Sequence, residues 1–105
     1  RDLGKEAARL APASAVYAAN ASAAALKLGK AHEAAKLAER AVACDPMYAR
    51  AHLRAAQAHL ELNTRESVQQ SIEEFAKVLE LEPENKAAKK GRKEALLTWE
   101  ADFED

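Results

Sequence analysis

Residues 15–46 read AVYAANASAAALKLGKAHEAAKLAERAVACDP, two alanine-rich runs broken at Gly29 and closed by Asp45-Pro46. Glycine supplies the left-handed conformation in which a helix ends without steric cost, and a proline ring clashes with the preceding turn of a continuing helix. The stretch therefore predicts a helix over Ala15–Leu28, capped by Ser14, and a second over His32–Ala43 returning antiparallel to it. The same punctuation recurs outward. Pro12, Pro46 and Pro83 stand 34 and 37 residues apart, each between two apolar helical runs. Met47–Leu62 is the next expected helix, with Pro46 in its first turn, where a missing N–H is unneeded. Asn63 takes the place of Gly29, and Thr64 caps a helix to about Leu81. The three extra residues before Pro83 fall in 64–68 and lengthen a turn or a helix start. Glu84 to about Glu100 forms a last helix, with Ala87, Ala88, Gly91, Ala95, Leu96 and Trp99 on one face. Asp2–Ala11, ahead of Pro12, has the composition of one further helix.

Composition agrees with one all-α domain: 105 residues hold 27 alanines, three glycines and 5% aromatics. The 49% hydrophobic fraction overstates the core, because alanine buries little area and contributes mainly close helix approach. A single cysteine, Cys44, makes no internal disulfide and reads as a small buried thiol in a reducing compartment, which points to the cytoplasm. No uninterrupted apolar run approaches the length a bilayer-spanning helix requires, and no signal sequence opens the chain, so no membrane span is expected. Because the chain starts at Arg1 with what reads as half of a helix pair, it is expected to be part of a larger protein.

Catalytic chemistry finds no support. There is no glycine-rich phosphate loop and no metal-spaced cluster, and His32, His52 and His59 read as isolated surface or packing residues. The expectation is no enzyme, no cofactor and no metal. Lys86, Lys89, Lys90, Arg92 and Lys93 form a basic run that could contact RNA, but Glu82, Glu84 and Glu94 surround it and no stacking aromatics interleave it. A solvated capping face is the stronger reading. Trp99 and Phe103 either seal the end of the array or meet a neighbour, and Asp102–Asp105 is acidic and expected to fray.

A 34-residue helix–turn–helix period resembles the tetratricopeptide repeat (TPR). Gly29, Glu33, Ala34, Ala41, Asp45 and Pro46 stand where TPR units carry their turn glycine, EA pair, packing alanine and closing DP. The resemblance divides the chain into 1–12, the second helix of a preceding unit; 13–46, one unit; 47–83, a unit with a three-residue insertion; and 84–105, a C-terminal capping helix with its acidic tail. It implies a solenoid of antiparallel helix pairs whose concave groove binds protein. Ala18, Ala38 and Ser71 depart from the pattern, at positions usually large, large and alanine.

A narrower resemblance lies in Tyr17-Ala-Ala-Asn20 and in Asp45-Pro-Met-Tyr-Ala-Arg50-Ala-His-Leu-Arg54, which look like the carboxylate-clamp TPR subfamily of chaperone adaptors. That subfamily reads the acidic C-terminal tail of Hsp70 or Hsp90 with an Asn in one unit, then a Lys or Arg and an Arg one helical turn apart in the next. By spacing, the matching positions here are Asn20, Arg50 and Arg54. The subfamily takes two more ligands, a Lys and an Asn, from a preceding unit, and it usually has Arg where this chain has Ala21. Arg50 and Arg54 lie one helical turn apart, and guanidinium groups grip carboxylates by paired charged hydrogen bonds. Val16, Ala23, Lys27, Gln57 and Glu61 are expected to line the same groove. Residues 1–60 carry nine Lys/Arg against five Asp/Glu, net +4, and residues 61–105 carry seven against twelve, net −5. An acidic partner would approach the first half. The alternative is a scaffold segment of a multiprotein assembly that uses no carboxylate site. The oligomeric state is not legible from the sequence.

Overall fold

A computed structural model describes residues 12–104, which form five α-helices: α1 Ala13–Lys27, α2 Ala31–Cys44, α3 Ala49–Leu62, α4 Arg65–Leu81 and α5 Lys86–Asp102. Among the described residues there is no strand. The expected helix at Asp2–Ala11 and the tail residue Asp105 lie outside the described residues.

The turns follow from local chemistry. Gly29 adopts φ 76° and Asn63 φ 53° after α1 and α3, the left-handed stops that the sequence predicts. Thr64 opens α4 with a reciprocal capping box, accepting from the Ser67 amide at 3.0 Å while its own amide donates to Ser67 Oγ at 2.8 Å. The extra three residues enter α4, which has 17 residues against 14 in α2. Asn85 caps α5 by accepting from the Ala88 amide.

Three expectations about the ends need correction. Ser14 caps nothing: α1 starts two residues earlier than expected, at Ala13, because the Pro12 carbonyl already accepts from the Ala15 and Val16 amides. Pro46 lies in a turn, not in a first helical turn. Asp45 Oδ1 accepts from the Met47 amide and the Asp45 carbonyl from the Tyr48 amide, which delays α3 to Ala49. Cys44, expected to be buried, is exposed, since burial along α2 ends at Ala41, a turn before the helix does.

Each helix packs on the next, and in addition α1 meets α3 and α3 meets α5, whereas α2 and α4 make no comparable contact. The odd helices thus form one continuous layer, and the array is elongated at 54 × 28 × 20 Å. Among the described residues, fifteen of the nineteen buried hydrophobic residues are alanine, so helices approach closely but little area is buried per residue. Ala18 and Ala38 belong to that core. Ser22 Oγ, fully buried, donates to the Ala34 carbonyl at 2.8 Å and ties α1 to α2. The larger groups concentrate where Phe75 and Val78 of α4 meet Ala49, Leu53 and Ala56 of α3 and Ala88 and Ala95 of α5. On α5 only Ala88, Gly91 and Ala95 of the expected face are buried. Trp99 is half-buried, while Ala87 and Leu96, about a quarter turn off the stripe, are exposed.

Beyond this core, Trp99 and Phe103 lie with ring centroids 5.8 Å apart. Arg65 stands 5.4 Å over the Trp99 ring and donates to the Phe103 carbonyl at 2.8 Å. The two rings close the α4–α5 end, and Asp102, expected to fray, is still helical.

Candidate functional site

Val16, Asn20, Ala23 and Lys27 recur at helical steps along α1, and Arg50, Arg54, Gln57 and Glu61 occupy the equivalent places on α3, one repeat later. Both stripes avoid the buried positions of their helices. Val16, Ala23, Arg54 and Gln57 are half-buried, and Asn20, Lys27, Arg50 and Glu61 are exposed. Because α1 and α3 touch, the stripes belong to adjacent elements of one layer. Gly91 stands 37 residues after Arg54, so α5 offers no side chain at the position equivalent to Asn20 and Arg54, and no arginine continues the stripe there.

Arg54 is the unusual member. Its Nη1 donates to Gln57 Oε1 at 3.0 Å, yet its Nε is shielded from solvent and has no hydrogen-bond partner. Burial, and then the positive charge of Arg50, hold the Arg54 guanidinium below its ordinary pKa, while Tyr48 acts weakly in the other direction. An anion at this face screens the Arg50–Arg54 repulsion, and it accepts from the unused Nε N–H once the Arg54 side chain turns outward. Gln57 uses its Oε1 to orient Arg54, which leaves its amide N–H groups to reach outward.

Arg50 borders a cleft of about 330 Å³ lined also by Tyr48, Leu53, Glu82, Asn85 and Ala87. A more open cleft of about 430 Å³ lies between the C-terminal halves of α3 and α5, with Glu61, Glu94 and Asp102 on its walls. The odd-helix layer is therefore basic at Arg50 and Arg54 and acidic toward Glu61.

The sequence reading missed a buried cluster on the opposite side of α3. His52, read as isolated, has Nδ1 2.6 Å from Glu74 Oε1 and Nε2 2.7 Å from the Pro46 carbonyl. Its carboxylate partner belongs to a different helix, α4, and no local spacing announces such a pair. His59 likewise meets Glu39 at 3.0 Å, while His32 is exposed. Among the described residues no cluster of His, Cys, Asp or Glu could hold a metal ion, and no helix is long and apolar enough to cross a membrane. The basic residues of Lys86–Lys93 are all exposed, with Lys89 paired to Glu84 at 3.2 Å.

No protein-family model matches the chain, and no curated protein matches it.

Proposed function

We propose that the chain is a protein-interaction segment of TPR type, in which antiparallel helix pairs form a solenoid closed by α5 and the α1–α3 face binds an acidic peptide bearing a free C-terminal carboxylate. The observation that carries the reading is Arg54, with a desolvated, unused N–H next to Arg50. Stacking of the odd helices and the shared repeat position of Asn20 and Arg54 support it. In this reading the two arginines take the carboxylate, the Asn20 amide bonds the peptide backbone, and Val16 and Ala23 supply the apolar floor.

Calorimetry with one acidic C-terminal peptide in free-acid and amidated forms tests the reading. The free acid is expected to bind more tightly, and Arg54→Ala to weaken it by about 1.5–3 kcal/mol, the worth of a charged hydrogen bond. Equal affinity for both forms would overturn it.

One observation favours extended stacking as well. Tyr17, Ala21, Ala24 and Leu28 hold, one repeat earlier, the positions of Ala51, Ala55, Ala58 and Leu62. The later three alanines are fully buried, whereas Tyr17 and Leu28 are 75% and 71% exposed. That α1 face fits a further helix pair, as a scaffold segment would require.

A further inference from the structure

We propose that His52 and Glu74 form a proton-held latch that fastens the turn between α2 and α3 onto α4 and releases it as the pH rises. Both atoms facing the imidazole are acceptors, the Glu74 carboxylate oxygen at Nδ1 and the Pro46 carbonyl oxygen at Nε2. A neutral imidazole has one N–H and one lone pair, so it satisfies only one of them. The closed geometry therefore needs one proton more than a neutral imidazole beside a carboxylate holds. Its loss leaves a lone pair facing an acceptor, the Pro46 carbonyl at 2.7 Å when the remaining N–H stays on Nδ1 with the carboxylate, or the Glu74 oxygen at 2.6 Å when it stays on Nε2. His52 is 6% exposed, so water does not replace the lost bond without movement of the ring.

The latch ties three elements. His52 belongs to α3 and Glu74 to α4, while Pro46 lies in the turn held by Asp45 through the Met47 and Tyr48 amides. Of the charged groups that act on the ring, Glu74 favours the cation and Lys77 opposes it, both from α4; the turn contributes the Pro46 carbonyl. The Glu74 hydrogen bond is the strongest influence, and against burial it raises His52 above its ordinary value of 6.5. A folded value above the unfolded one gives stability that is complete below pH 6.5 and lost as the pH climbs through the folded value. The turn leads into the helix that carries Arg50 and Arg54, yet the latch holds whether or not those residues bind a peptide.

The molecule contains its own control. The turn between α4 and α5 repeats the backbone bond, Asn85 amide to Glu82 carbonyl, but Lys89 takes the place of His52 there and reaches outward to Glu84. NMR titration of the 105-residue chain should find His52 titrating above the ordinary histidine value of 6.5. Amide exchange at Tyr48, corrected for its intrinsic pH dependence, should accelerate by up to about tenfold per pH unit above about 6.5 until His52 is deprotonated, with Asn85 unchanged. Glu74→Gln should remove the acceleration. The proposal falls if His52 titrates at or below 6.5, or if Tyr48 and Asn85 share one pH profile, both of which are read on the unmodified protein.

Discussion

Gly91→Ala tests the closeness of helix approach on which the alanine-rich core depends. At an exposed helical position the change would gain about 1 kcal/mol, since glycine is the most entropically costly residue to order. At Gly91 a Cβ would land on the Cε1 and Cζ atoms of Phe75, with Cδ1 at 3.0 Å. The ring is 1% exposed and is enclosed by Ala49, Leu53, Ala56, Val78, Ala88 and Ala95, so it has no space to swing into. Overpacking of this kind costs about 1–3 kcal/mol, and collision with two ring atoms belongs at the upper end. Less the propensity gain, the expected loss is about 2 kcal/mol, or roughly 8–16 °C in Tm for a domain of this size.

Urea unfolding followed by far-UV circular dichroism measures the loss, with a lower midpoint at unchanged slope. Phe75→Leu should cost less in the Gly91→Ala background than alone, because each change relieves the other. Gly29→Ala separates sterics from backbone strain. No atom lies within 4 Å of its Cβ, and its φ of 76° alone should cost about 1–2 kcal/mol. If Gly91→Ala is as stable as the parent, the ring yields freely and the account of a rigid α3–α4–α5 core is wrong.

Two further changes probe single contacts. Thr64→Ala removes the acceptor for the Ser67 amide and one side of the α4 capping box, and should cost about 1 kcal/mol in thermal unfolding; a change within error would show that the box is redundant. Arg65→Ala removes the cation over Trp99 and the donor to the Phe103 carbonyl. Trp99 emission should shift to the red, with a stability loss of about 0.5–1 kcal/mol, and an unchanged spectrum would refute the closure of this end by Arg65.

The parts of the molecule legible in its sequence are those decided within a few residues. Gly29, Asn63 and Thr64 each act through their own backbone or a neighbour's, and the structure finds all three as read. Five helices and their order follow from these stops together with the apolar periodicity. The misreadings share a cause. Proline's tolerance of a first helical turn places Pro46 in a helix on local grounds, but Asp45 competes for the Met47 and Tyr48 amides and holds the turn open longer. Cys44 reads as buried because it stands near a helix end at the join between units; burial depends on a neighbouring element, and past Ala41 the end of α2 leaves Cys44 exposed. The Asn20, Arg50 and Arg54 stripe is legible as a pattern, whereas the state of Arg54 is not, since desolvation of Nε is a property of packing.

His52 and Arg54, two residues apart on α3, show why burial of charge has opposite meanings on its two sides. Both are drawn into a core whose alanines let helices close tightly, and each thereby loses water. His52 recovers it internally, with an acceptor at each ring nitrogen, and its burial strengthens attachment of α3 to α4. Arg54 recovers it at Nη1 alone; the like charge of Arg50 and the unpartnered Nε remain as a standing cost. A half-buried cation with one shielded, unsatisfied N–H carries a cost to the fold that a partner outside the chain can offset. Replacing Arg54 by a hydrocarbon side chain of similar length, as in Arg54→Met, should therefore leave the fold as stable or more so while abolishing carboxylate binding. The same exchange at His52 should weaken the fold, and this opposition is expected if one residue serves a ligand and the other the architecture.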